Sequence, residues 1–237
     1  MGKNILSKES PTIDRYKEML INYNKVDGFL AIGFFIVYMF ILFLAGQAML
    51  RFNVFLGVPI SLLASALVFV MIYFRKQSTK TVGITKSNLA RSSLLGLVCS
   101  APLIIFSVIP DFTEVSRPIQ TFDVLYSIFF YLVIVSFNEE IVFRGYIQPR
   151  LYSLIKADYL AIFTGGVMFA AVHIPFQSAM YYYQHGAHRR ISFVQMFLFI
   201  GVHIIVNAMY RKYNSLAAPV IFHFFWNFSI IQATLFL

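Results

Sequence analysis

Six ionisable side chains lie inside apolar stretches of this chain: Glu139, Glu140, Arg144, His173, His203 and His223, with Asn207 and Asn227 as matching amides. An ionisable group in hydrocarbon is costly, so it faces a cavity or a partner and marks function. Residues four apart on a helix share a face, so Glu140 and Arg144 can pair. Glu139 sits about 100° round from Glu140, on the face that also carries Phe143. An arginine-paired carboxylate stays ionised and is a poor proton acceptor; an unpaired one in a low-dielectric cavity suits general acid–base work. This assigns Glu139 as base and Glu140 as its structural neighbour. The competing reading is that both carboxylates only hold Arg144 in a helix-packing network.

Spacing then asks which histidine can meet Glu139. Glu139 precedes Leu151 by 12 residues and His173 follows Tyr159 by 14. At 1.5 Å per residue both stand roughly 20 Å from the 151–159 turn, so a helical hairpin brings them to one depth. His223 lies some 12 Å beyond the 211–215 turn on the same side, a looser match that requires the hairpin to project further. His203-x-x-x-Asn207 and His223-x-x-x-Asn227 have the same spacing, and spacing alone does not choose between them. A lone histidine on an apolar helix is more often a hydrogen-bonded packing residue, which is the expectation for His203. His185 and His188, beside Arg189 and Arg190, read as a solvated loop rather than a metal site.

The elements that must position these groups are membrane helices. Hydrophobic residues make up 59% of the 237 and charged residues 12%, against about 45–50% and 25% in soluble domains. That excludes an ordinary soluble enzyme and a disordered chain. The single Cys99 excludes a disulfide framework and a multi-cysteine metal site. A crossing needs roughly 20 mostly apolar residues. Runs at 29–50, 54–74, 93–110, 159–177, 191–210 and 216–237 qualify, and the 124–137 run does so if it continues through Glu139, Glu140 and Arg144 towards Leu151. The fold class is therefore all-α, a polytopic bundle of about seven transmembrane helices. Residues 1–27 are polar and the first apolar run is too long for a cleavable signal peptide.

Fifteen of the nineteen Lys and Arg residues fall in 1–28, 75–92, 144–158 and 211–215, which predicts an N-in, C-out orientation. The net charge of +9 thus reads as topology, with anionic lipid as partner and no nucleic acid. The 1–28 tail and the 75–92 loop read as solvated segments or short surface helices. The chain divides into a cytoplasmic tail, 1–28, scaffold helices, 29–121, and a helical core, 122–237, that carries the polar residues.

The ordered set Glu139-Glu140-x-x-x-Arg144, Phe169-x-x-x-His173 and His223-x-x-x-Asn227, within NEEIVFRGYIQPRL, FAAVHIP and SLAAPVIFHFFWN, resembles the CPBP family of intramembrane proteases. That family comprises the CAAX prenyl endopeptidases and their bacterial relatives, the Abi or bacteriocin-processing proteins. The family pattern selects His223 and Asn227 over His203 and Asn207, because its third motif follows a small loop ending in Ala-Pro. The resemblance implies that Glu139 and His173 activate a water against the scissile amide. His223 and Asn227 would position that water and stabilise the oxyanion. Arg144 and Glu140 would brace the site, with Phe169 packed beneath His173. The set His173, His223 and Glu139 leaves one position for water, as in a catalytic Zn(2+) site, although no H-E-x-x-H helix is present. A metal-free Glu/His-activated water needs the same residues.

The implied function is an intramembrane endopeptidase acting on a membrane-associated peptide or protein, such as a bacteriocin or quorum-sensing precursor or a CAAX-like C-terminus. One competing class is a non-catalytic membrane protein that regulates a partner such as a sensor kinase, and it would tolerate replacement of Glu139 and His173. A proton-coupled carrier is the other, and it expects repeats with interrupted helices, which the sequence lacks. The composition, rich in Lys, Ile, Phe and Asn, suggests a bacterial cell membrane.

Overall fold

Long apolar runs leave the backbone no partner but itself, so helices are the expected result. Helices are what the computed structural model contains, over its described residues 11–110, 121–186 and 192–235. In chain order they are α1, Pro11–Ile21; α2, Lys25–Phe52; α3, Gly57–Phe74; α4, Leu89–Val108; α5, Thr121–Leu151; α6, Asp158–His185; α7, Phe193–Tyr213; and α8, Ala217–Leu235. Among the described residues α2 to α7 are long and apolar enough to cross a membrane. The chain is an all-helical, multi-pass membrane protein. Six such helices plus α8 are close to the seven spans expected.

Two helices open on reciprocal caps. Asn24 Oδ1 accepts from the backbone of Val26 and Asp27, and Asp27 answers to the Asn24 backbone. Ser192 and Gln195 do the same for α7. Both satisfy donors that a helix start leaves orphaned. The backbone of α5 departs from α geometry. It is π-helical over Phe130–Phe137 and Ile141–Ile147, with Asn138–Glu140 as the α turn between them. Asn138 Nδ2 donates to the carbonyls of Val133 and Ile134, at 2.7 and 3.0 Å, where the wide turn disturbs the regular ladder. The two acidic residues thus sit between two π stretches.

The first half of the chain is less solvated than its composition suggests. Tyr16 of α1 is fully buried, edge-on to Tyr152 and Tyr210. The 75–92 loop docks under α5: Val82, in a 3-10 turn at Thr79–Val82, is 0% exposed and lies against Gly145. Gln77 joins Asp27 to Arg150, whose guanidinium is buried between Tyr146 and Tyr23. The 75–92 segment is exposed over much of its length and carries a short helical turn, as expected, but these contacts anchor it to the bundle. Two of the basic residues counted as loop charge, Arg144 and Arg150, are likewise buried in the bundle.

This docking explains the looser depth match of His223. Gly83 O accepts from Leu216 N at 3.1 Å, and Ala218 N donates to Ser92 Oγ at 3.0 Å. The α7–α8 turn is therefore held about level with Gly145 rather than with Leu151. Six helical residues separate those positions, about 9 Å, which is close to the discrepancy between roughly 20 and 12 Å. A Cβ at Gly145 would meet Val82 O at 2.8 Å. Gly145→Ala is expected to destabilise the protein by about 1–3 kcal/mol through this overlap, read as a lower melting temperature in detergent micelles.

Candidate functional site

Three helices bring the polar residues together. Arg144 and Glu140 pair within α5, Nη1 to Oε1 at 2.8 Å, both fully buried. Glu140 Oε1 also accepts from His223 Nδ1 at 2.7 Å, so one carboxylate ties α5 to α8. His173 Nδ1 lies 2.7 Å from the carbonyl of Phe169, one turn earlier on α6. A carbonyl only accepts, so His173 carries its proton on Nδ1. Glu140 Oε1, already held by Arg144, accepts from His223 Nδ1 and sets the same tautomer there. Both imidazoles therefore present a bare Nε2.

Those two nitrogens face Glu139. Its Oε2 stands 3.7 Å from His223 Nε2 and 4.0 Å from His173 Nε2. The Glu139 side chain is a quarter exposed, yet Oε2 itself is buried with no hydrogen-bond partner among the described residues. Glu139 is unpaired and Glu140 is paired, the division expected from their positions around the helix. Asn227 is half-buried one turn beyond His223 on α8.

Phe169 is the floor of this arrangement. Its ring lies edge-on to His173 and Phe143, with centroids 4.9 and 5.1 Å away, and 6.1 Å from His223. The Arg144 guanidinium carbon sits 4.3 Å from the Phe169 centroid, a cation–π contact that sequence spacing does not reveal. Phe199 stacks on His173 at 4.3 Å and clamps its other face.

His203 lies outside the cluster. Its Nε2 is 3.0 Å from Gln148 Oε1, and Gln148 Nε2 donates to Ala161 O at 3.2 Å. The sequence reading missed Gln148, although Glu140, Arg144 and Gln148 form a ladder at four-residue intervals along α5 that would have flagged it. The side chain of His185, and His188, Arg189 and Arg190, lie outside the described residues.

Two imidazoles and a carboxylate are the donor chemistry of a catalytic zinc site, and each imidazole is braced at Nδ1 as metal-bound histidines are. The spacing is wider than that chemistry asks. Ligand atoms about 2.1 Å from a tetrahedral zinc stand roughly 3.4 Å apart. Among the described residues no group of three His, Cys, Asp or Glu side chains is placed to hold a metal ion. Gaps of 3.7 and 4.0 Å are too long for direct hydrogen bonds and leave room for a water between the groups.

No curated protein and no solved structure shows significant similarity to the chain. The family model of the type II CAAX prenyl endopeptidases, Rce1-like, matches residues 121–229. That stretch runs from the start of α5 into α8 and includes Glu139, Glu140, Arg144, Phe169, His173, His223 and Asn227. By this match, the helical core from 121 to 229, just under half of the chain, is similar to the Rce1-like type II CAAX prenyl endopeptidases, a family of membrane proteases.

Proposed function

We propose that the chain is an intramembrane endopeptidase in which Glu139, His173 and His223 hold and activate one water. The observation that carries this reading is the convergence of three unpaired atoms, Glu139 Oε2 and the two bare Nε2 nitrogens, at 3.7 and 4.0 Å. A water there donates one hydrogen to Glu139 and the other to an imidazole, and turns a lone pair outward. Glu139 takes the proton as the water oxygen bonds to the scissile carbonyl carbon. It returns that proton to the amide nitrogen as the C–N bond breaks. Asn227 is the donor assigned to the oxyanion, because an amide N–H aimed at developing charge lowers the barrier.

A zinc ion on His173, His223 and Glu139 would add a Lewis acid and an acidified water when bound. In the metal-free mechanism, prolonged chelation of the purified protein in micelles is expected to change its turnover by less than about twofold. Inactivation restored by added zinc would assign the metal instead.

The proposed substrates are small peptides or proteins at a bacterial cell membrane, such as a bacteriocin or quorum-sensing precursor or a CAAX-like C-terminus. Lipid is the surrounding partner. The test compares membrane and secreted peptides from cells carrying wild type with those from cells carrying Glu139→Gln at equal abundance. A fragment produced only by wild type is expected, and it names the substrate. Identical peptide sets alongside a deletion phenotype would mean that the protein acts by binding, on a partner such as a sensor kinase.

A further inference from the structure

Behind the Phe169 ring lies the second H-x-x-x-N pair, His203 and Asn207 of α7, which the catalytic reading leaves unused. Both are sealed from solvent, at 0% and 1% exposure. The Gln148 amide is fixed by its bond to Ala161 O, so its Oε1 accepts and His203 carries its proton on Nε2. His203 Nδ1 is then a bare acceptor, buried with no partner among the described residues. Asn207 Oδ1 is buried and unpartnered too. A helical side chain leans back over the residue four earlier, which brings the Asn207 amide towards His203.

Arg144 approaches the same place from α5. The His203 ring lies 5.8 Å from the Phe169 centroid and the Arg144 guanidinium 4.3 Å from it. His203 and Arg144 are within electrostatic reach of each other. Arg144 spends Nη1 on Glu140, while its Nε and Nη2, and Glu140 Oε2, are buried and unpartnered among the described residues. The region thus holds three orphan acceptors and two orphan donors. Buried polar groups without partners are rare because each keeps its full desolvation cost. An anion would face three acceptors and a cation would face a guanidinium. Water, which both donates and accepts, satisfies both kinds.

We propose that ordered water fills a closed polar chamber bounded by His203, Asn207, Arg144 and Glu140, and that His203 and Asn207 are positioning residues acting through it. The water donates to His203 Nδ1 and Asn207 Oδ1 and accepts from the free edge of Arg144. Arg144 is thereby held with Nη1 on Glu140, and Glu140 keeps the His223 proton on Nδ1. His223 Nε2 stays bare on the catalytic side of Phe169. The chamber itself stands apart from any reaction; its effect on cleavage rests on the proposed function.

The first measurement is on the wild-type protein, as high-resolution diffraction density. A water peak within hydrogen-bond distance of His203 Nδ1 and Asn207 Oδ1 is expected. An empty chamber, or an Asn207 amide turned to donate directly to Nδ1, overturns the proposal. The second measurement is on Asn207→Leu, which keeps the branched outline, is somewhat larger and carries no polar atom. Labelling with 15N-histidine is expected to show His223 as a single Nδ1–H tautomer in wild type and as a mixture in the variant. Cleavage of the peptide identified with Glu139→Gln should slow about 10–100-fold, as for other losses of outer-shell support. A purely packing role predicts unchanged His223 signals and an equal or higher melting temperature, since an orphaned amide has been removed; that result overturns the proposal. If no peptide is ever cleaved, the catalytic reading falls, and the density and the His223 signals still decide the chamber.

Discussion

Glu139→Gln is expected to slow cleavage by roughly a hundred- to ten-thousand-fold, the range for losing a general base, and to leave the melting temperature unchanged. Both halves follow from one geometry. Oε2 makes no hydrogen bond with the described residues, so the amide removes no structural contact. It does remove the carboxylate that, among the described residues, faces both bare Nε2 atoms, at 3.7 and 4.0 Å. Turnover by purified variant and wild type in micelles, with thermal unfolding of the same samples, checks both. Wild-type turnover by the variant would remove Glu139 from the chemistry. A collapse in stability would move it into the packing network.

Arg144→Met is expected to do the opposite kind of damage. Arg144 and Glu140 are both fully buried, and removing one partner of such a pair costs about 3–5 kcal/mol because the other charge stays buried. The melting temperature should fall sharply, and activity with it. Part of the loss should return in the double variant Arg144→Met, Glu140→Gln, where no uncompensated charge remains. A single variant as stable as wild type would show that Glu140 finds its support elsewhere.

These contrasting expectations for adjacent glutamates were legible in the sequence. Helical periodicity alone separates Glu139 from the Glu140–Arg144 pair, and counting 1.5 Å steps from the 151–159 turn puts His173 at the depth of Glu139. What was not legible is everything set by contact between distant segments. The bridging of Glu140 to His223, 83 residues on, depends on where the α7–α8 turn is held, and that is decided by Gly83 and Ser92. The π-helical stretches of α5 leave no signature in hydropathy. Arg150 reads as loop charge because a positive residue near a span end normally is; its burial depends on Gln77 and Tyr23 gathering from two other segments beside Tyr146 of its own helix. Gln148 was missed for a different reason, since it is neither ionisable nor four residues after a histidine as Asn207 and Asn227 are.

The docking of Val82 and Gly83 beneath α5 has a consequence for how the protein can change. These residues work as a length gauge: they fix how far α8 slides along α5, and so whether His223 meets Glu139 or a neighbour one turn away. One helical step is about 1.5 Å, a large fraction of the 3.7 Å gap they set. Inserting or deleting a residue between Arg75 and Ser92 would therefore misalign the reacting groups as surely as replacing one of them. The tolerance of short loops to length change is lost at this loop, and the segment outside the family match constrains the chemistry inside it.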